Sequence, residues 1–356
     1  MNNWESYVRK VVPYTPGEQP KKDKMIKLNT NENPYPPAPK VQQVIREFDG
    51  DKLRLYPDPS VSALVEALAE YHNVAPNQVF VGVGSDDVLA MCFLTFFNSQ
   101  QPILFPDITY SFYDVWADML RIPYETKPLD DGFVIRPEDY MVPNGGIVFP
   151  NPNAPTGVEL SLAAIEAIVK YNSNRIVIVD EAYVDFGAQS ALSLLDTYEN
   201  LIVVRTFSKS RSMAGSRIGY AVANEKVIQY LNDVKHSFNS YTMDQLAIAT
   251  GVASVKSEDY FKESLDKIIA TREETKEALL EMGFSFPDSK SNFIFATHKT
   301  CPAVALFEAL KSANIYVRYF KKPRIDNYLR ITIGTAEEMK VFLDFVRTYL
   351  STNGYV

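Results

Sequence analysis

From about residue 60 onward, apolar positions fall into two alternating patterns. In "SVSALVEALAEYHN", Val61, Leu64, Val65, Leu68 and Ala69 recur at three- and four-residue spacing, which predicts a helix with one buried stripe. "QVFVGVGS" predicts a short strand, with a helix from about Asp86 to Phe97. "PILFP" (102–106) and "GIVFPNP" (146–152) read as strands on either side of the helix-like "FYDVWADML". "LAAIEAIVKYN" predicts a helix with Ser161 as its N-cap. "RIVIVDEAY" and "NLIVVRTFSK" then supply continuous apolar runs with no polar face. Strands apolar on both faces are covered on both faces, so an α/β fold is expected, a mostly parallel sheet wrapped by helices.

The two flanks differ. The first 40 residues are rich in Pro, Asn and Lys and lack periodicity, which predicts an extended arm. "YTMDQLAIATGVASV" through "LDKIIATREETKEALLEMG" predicts one long helical stretch bridging two bodies. After Gly283 the pattern reads β-α-β-β-α, a compact α+β unit. The expected organisation is an arm or lid over 1–40, a large α/β domain over 41–255 and a smaller C-terminal α+β domain over 256–356.

Composition narrows the function. With 46% hydrophobic and 12% aromatic residues, the 356-residue chain can bury a large core. Its 36 Lys+Arg against 44 Asp+Glu argue against a nucleic-acid surface. An anionic ligand must therefore meet individually placed arginines and backbone amides. Cys92 and Cys301, like His72, His236 and His298, lack metal-site spacing, and no disulfide framework is implied. "MNNWESYVRK" has no signal-peptide pattern, and "VLAMCFLTFF" (88–97) is about half of a membrane span. A soluble cytoplasmic protein is expected, with small-molecule partners, no nucleic acid, no membrane and no metal.

In parallel sheets, ligands collect beyond the carboxyl ends of the strands. Ser85, Asn153, Asp180, Tyr183, Ser208 and Lys209 all fall just after apolar runs. Taken alone, Asp180 reads as a turn residue and Lys209 as a surface charge. A lysine where a buried strand ends has usually found a partner or a task, however. With Asn153, Tyr183, Ser208 and Arg217, the set supplies what pyridoxal 5'-phosphate requires: an amine for its aldehyde, an anion for its ring nitrogen, donors for its phenolic oxygen and a phosphate cradle. "VGSDD" places Ser85 and Asp86 at a helix start, where free N–H groups suit an anion. Thr206 and Ser208 add hydroxyls, and Arg217 a charge-assisted fork. Ser210, on the far side of Lys209, has no assigned role. No Gly-x-Gly-x-x-Gly follows a strand, so a nicotinamide enzyme is poorly supported.

"NPNAPTG" (151–157), "DEAYVDF" (180–186) and "RTFSKSRSMAGSRIGY" (205–220) closely resemble the fold-type I aminotransferases. Within them, "PYTPGEQP", "KLNTNENPYPP", "RLYPDP" and "YLRITIGT" are similar to the histidinol-phosphate aminotransferase family, over essentially the whole chain. The resemblance implies that Lys209 holds the cofactor covalently and then carries the substrate proton. It implies that Asp180 pairs with the ring nitrogen, that Asn153 and Tyr183 donate to the phenolic oxygen, and that Tyr110 stacks on the ring. Tyr56 matches a residue that reaches the phosphate in the neighbouring subunit of a homodimer. Arg330 matches a substrate-carboxylate grip, and Arg318 and Tyr14 match residues near the substrate phosphate. Asn31 and Asn33 are expected to line the same pocket.

The implied reaction is L-histidinol phosphate plus 2-oxoglutarate giving imidazole-acetol phosphate plus L-glutamate, in ping-pong half-reactions. The aromatic arm "NNWESYVRKVVPY" would equally serve an aromatic-amino-acid aminotransferase. A phosphothreonine decarboxylase with the same cofactor pocket is a further alternative, as is a regulatory protein that has kept the scaffold.

Overall fold

The computed structural model describes residues 3–20 and 25–355. The expected arm therefore lies partly outside the described residues, at 1–2 and 21–24. After a 3-10 helix at Asn3–Tyr7 come β1 (Ile26–Lys27), α1 (Pro39–Glu47) and α2 (Ser62–His72). Seven strands then build the main sheet: β2 (Val79–Gly82), β3 (Ile103–Pro106), β4 (Tyr124–Lys127), β5 (Ile147–Pro150), β6 (Val177–Asp180), β7 (Leu201–Thr206) and β8 (Gly219–Ala223). Their order is β2-β8-β7-β6-β5-β3-β4, and β8 runs antiparallel to both neighbours while the other pairings are parallel. Helices α3 (Ser85–Phe96), α4 (Tyr113–Leu120), α5 (Leu162–Tyr171) and α6 (Glu225–Phe238) are spaced between and after these strands.

The doubly apolar runs explain this layering. Leu201 and Val203 of β7 enter a core with Val177 and Val179 on one face, whereas Ile202 and Val204 join Ile178 and α3 on the other. Alternate side chains of a strand point to opposite faces, so a run with no polar member needs cover on both. Each such buried Val, Leu or Ile contributes about 1.5–3 kcal/mol. Ser161 caps α5 by accepting from the Ala164 amide, as its position predicts.

α7 (Gln245–Val255) packs on α1 and α2 against the core of the first body, and the second body comprises α8 (Glu258–Glu281), β9 (Phe284–Ser285), β10 (Phe293–His298), α9 (Ala303–Ser312), β11 (Ile315–Tyr316), β12 (Arg318–Tyr319), β13 (Leu329–Thr332) and α10 (Ala336–Thr352). Its antiparallel sheet has the order β12-β13-β10-β9. The helical stretch expected to be continuous is two helices. Ser257 turns its hydroxyl back onto the Ala253 carbonyl, and the acidic pair Glu258–Asp259 starts α8 anew. The sequence pattern did not draw α1, β4, β8 or α6.

Part of the arm is fixed to the second body. β1 pairs parallel with β11, and the Leu28 carbonyl accepts from the Thr332 amide. Residues 9–20 carry no regular element. Among the described residues, no helix is long and apolar enough to cross a membrane, and no cluster of three metal-ligating side chains occurs.

Candidate active site

Asp180 is the last residue of β6, and its carboxylate is buried at the carboxyl end of the sheet. One oxygen accepts from the Tyr113 hydroxyl at 3.0 Å and the other from the Ala182 amide at 3.2 Å. Among the described residues no cation pairs with it. Burial pushes its pKa up to about 7, against the pull of the Tyr113 and Ala182 bonds. Lys209 lies three residues beyond β7. Its Nζ donates to the Thr30 carbonyl at 3.1 Å and stands 5.9 Å from the centre of the Tyr183 ring, with no carboxylate partner among the described residues. Asp180 and Lys209 line one cavity of about 230 Å³, together with Tyr110, Tyr183, Thr206 and Ser208.

The far end of this cavity is shaped by two glycines. Gly84, at φ +88°, precedes α3, and a Cβ there would lie 2.5 Å from Arg217 Nη2. A Cβ on Gly219 would meet the Ser85 amide nitrogen at 2.2 Å. Without side chains at both, the N-terminus of α3 and the Arg217 guanidinium approach each other, a combination suited to an anion. Arg217 itself holds a left-handed backbone at φ +50°. Its guanidinium contacts Asp86 at 3.1 Å and the Ser208 hydroxyl at 3.4 Å. The Asp86 carboxylate also accepts from the Tyr110 hydroxyl at 2.6 Å, so it orients both neighbours, and its backbone amide is what it can offer an anion. Thr206 accepts from the Ser208 amide at 3.1 Å.

A second lobe, about 180 Å³, adjoins the first across Thr30, Tyr110, Ala154, Tyr183 and Lys209. Tyr14 enters it from the arm, stacked on Phe112 at 4.1 Å. Asn31, at φ +57°, donates its amide to the Tyr183 hydroxyl at 2.9 Å. Arg330 comes from β13, beside Arg318 of β12. Its Nη2 donates to the Asn29 carbonyl at 3.1 Å, while its enclosed Nε has no partner. Burial, with the like charge of Arg318 adding to it, lowers the pKa of Arg330. Neither arginine has a carboxylate partner among the described residues.

Three of the expected site residues line neither lobe, and for Tyr56 this agrees with its expected place in the neighbouring subunit's site. Asn153 lies behind the wall of both lobes. Its amide donates to the Ile108 carbonyl and the Thr156 hydroxyl at 2.9 and 3.0 Å, so giving a hydrogen to a cofactor means releasing one of these. Asn33 does not line the pocket. It donates to the carbonyls of Lys209 and Ser210, both at 3.1 Å, and holds the lysine's backbone instead. Tyr56 is 81% exposed, against Tyr241 and away from both lobes. Tyr113 was missed by sequence reasoning, because its partner Asp180 is remote in the chain and only the fold joins them. Glu32 was also missed. It lines the inner lobe and is bonded to Lys27 and Thr30; burial would raise its pKa, but these bonds hold it lower.

The residues fit pyridoxal phosphate on three counts. A buried carboxylate lacks a cation, an amine lacks a carboxylate, and a helix start with an arginine is kept open by glycine. The unpaired guanidinium groups of the second lobe fit a ligand carrying a carboxylate or phosphate.

Residues 23–346 match the model of the family described as aminotransferase class I and II. A histidinol-phosphate aminotransferase of Lactococcus lactis subsp. cremoris is 51% identical over 348 residues, 98% of each chain. Another, of Hydrogenovibrio crunogenus, is 52% identical over 335 residues, 94% of each chain. The solved histidinol-phosphate aminotransferase from Sinorhizobium meliloti, in complex with pyridoxal-5'-phosphate, superposes with a TM-score of 0.81 over 92% of both chains, at 24% identity.

Proposed function

This chain belongs to the class I and II aminotransferase family, and from that premise we propose that it transfers the amino group of L-histidinol phosphate to 2-oxoglutarate, giving imidazole-acetol phosphate and L-glutamate. One observation carries the reading at the level of chemistry. Lys209 and a buried carboxylate without a cation share a cavity that opens toward two unpaired arginines. The relatives of about half identity carry the choice of substrate.

Pyridoxal phosphate, when bound, supplies an electron sink for the bonding electrons at the substrate's Cα. Asp180 is placed to hold a proton on the ring nitrogen, since a cation there relieves the cost of its burial. Ser85, Ser208 and Arg217, with the Asp86 amide, would hold the phosphate; Tyr110 would cover the ring, and Tyr183 would donate from its hydroxyl. Lys209 would hold the cofactor covalently, and its Nζ would serve as the base that takes the substrate's Cα proton and returns it. Among the described residues its Nζ donates to a backbone carbonyl and is in ion-pair contact with no carboxylate. Arg330 would grip the carboxylate of glutamate or 2-oxoglutarate. Arg318 and Tyr14 would meet the phosphate of histidinol phosphate, with the arm closing water out.

We place Tyr56 at the phosphate end of a second copy's site. Tyr56, Leu53 and Leu55 are exposed together, and a hollow of about 270 Å³ beside Arg217 is lined by Ile45, Thr242 and Met243. A homodimer with shared sites would cover both. The reaction is assigned to the cytoplasm, whose reducing conditions suit two unpaired buried thiols, Cys92 and Cys301.

Turnover of histidinol phosphate, phenylalanine and O-phosphothreonine, each with and without 2-oxoglutarate, tests the reading on the loaded protein. Histidinol phosphate is expected to react fastest and only with the oxo acid. Faster turnover of phenylalanine, or carbon dioxide release from O-phosphothreonine without an acceptor, would overturn it.

A further inference from the structure

Ser210 follows Lys209 and is fully buried, yet it faces neither lobe of the cavity. Its hydroxyl donates to Asp185 at 2.6 Å. The other oxygen of Asp185 meets Arg205 Nη1 at 3.2 Å. Arg205 bonds Glu181 through Nε at 3.0 Å and through Nη2 at 2.9 Å. Glu181 is anchored in turn by the Ser190 hydroxyl at 2.7 Å and the Ala191 amide at 2.6 Å. Each end of this chain of bonds adjoins a site residue. Glu181 is next to Asp180, Asp185 lies two residues after Tyr183, and Ser210 is next to Lys209.

We propose that Ser210 is a positioning residue: through Asp185, Arg205 and Glu181 it fixes the main chain at Lys209 relative to Asp180 and Tyr183. The inference rests on the assignment of Lys209 and Asp180 given above. Its physical basis is the burial of the cluster. Glu181 and Arg205 are removed from water and Asp185 is partly so, and the three hold each other in one geometry because a broken contact would leave a buried charge unsatisfied. The Lys209 segment has a separate amide bridge from Asn33 to its two carbonyls. Removing the Ser210 hydroxyl takes away the tie between this segment and the buried ion cluster and leaves the Asn33 bridge. A reacting amine displaced by a fraction of an ångström loses rate without losing substrate affinity.

The test compares Ser210→Ala and Ser210→Thr in the protein loaded with pyridoxal phosphate. Ser210→Ala is expected to lower kcat about tenfold while KM for the amino donor stays within about twofold. It should also weaken the circular dichroism of the bound cofactor's visible band, which reports the ring's orientation in the site. Ser210→Thr, which keeps the hydroxyl, should restore both. Asp185→Ala and the double variant should show the same loss as Ser210→Ala rather than a sum, because one path is cut once. Parental kcat and dichroism in Ser210→Ala would overturn the proposal, as would additive losses. If Ser210→Thr does not fold, the comparison of single and double variants decides. The parental protein supplies the control for the underlying assignment. Borohydride reduction that leaves Lys209 unlabelled there refutes the site itself, whereas labelled Lys209 with an unaffected Ser210→Ala refutes only the positioning role.

Discussion

Arg205 and Arg330 are strand arginines that leave water for opposite reasons. Arg205, in β7, is buried against Glu181 and Asp185. Desolvation works against its charge, but the two carboxylates outweigh it and raise its pKa. Arg330, in β13, has a carbonyl, two aromatic rings and Arg318 for company, and its pKa is lowered. One charge is satisfied inside the fold, and the other has no carboxylate partner among the described residues. Completed buried polar networks rigidify a structure, whereas an incomplete one at a cavity wall marks where a ligand completes it.

The sharpest way to break this contrast is to remove the two charges in parallel. Arg205→Met leaves the buried Glu181 and the part-buried Asp185 without their cation and should cost about 3–5 kcal/mol of folding stability, measured by chemical denaturation of the unloaded protein. Arg330→Met should leave that stability unchanged or slightly raised, while kcat/KM for glutamate falls about thirtyfold or more through a higher KM. Equal destabilisation by both variants would make Arg330 a structural residue and erase the distinction.

Asp180 sharpens the comparison from the acid side. Its folded pKa, about 7, lies above its unfolded value, so between about pH 4 and 7 the native state binds the extra proton. Stability of the unloaded protein should therefore decline as pH rises through that window, by up to about 1.4 kcal/mol per pH unit from this one group. Asp180→Asn should remove that component, and an unchanged slope would show that the carboxylate is not enclosed as described. The smallest effect is expected from Tyr113→Phe. Losing one hydrogen bond to a buried carboxylate should raise the pKa of Asp180 further and weaken cofactor binding by about 1–2 kcal/mol, read by equilibrium dialysis.

The same contrast explains what the sequence made legible. Lys209 and Asp180 could be singled out because Asp180 ends, and Lys209 closely follows, a run apolar on both faces, a pattern that places each near the sheet's carboxyl edge by topology alone. Arg330 could be found because an arginine inside an apolar strand asks for a reason. Ser210 and Tyr113 could not be assigned, because their partners sit 25 and 67 residues away and no local pattern encodes such a meeting. Asn33 was placed in the pocket by its neighbourhood, yet its amide faces the lysine's backbone. The break between α7 and α8 escaped notice because serine is tolerated within helices and its turning back on a carbonyl shows only in three dimensions.

The reversed direction of β8 has a consequence for how a ligand is received. Thr206 and Gly219 face each other across adjacent antiparallel strands, so residues 207–218 form a closed loop whose mouth is stitched by the sheet. The lysine sits near the start of that loop and Arg217 near its end. The configurational freedom of this segment is surrendered when the chain folds, so a molecule held as proposed by Lys209 and Arg217 would find its covalent hook and its charged clasp already at a set span.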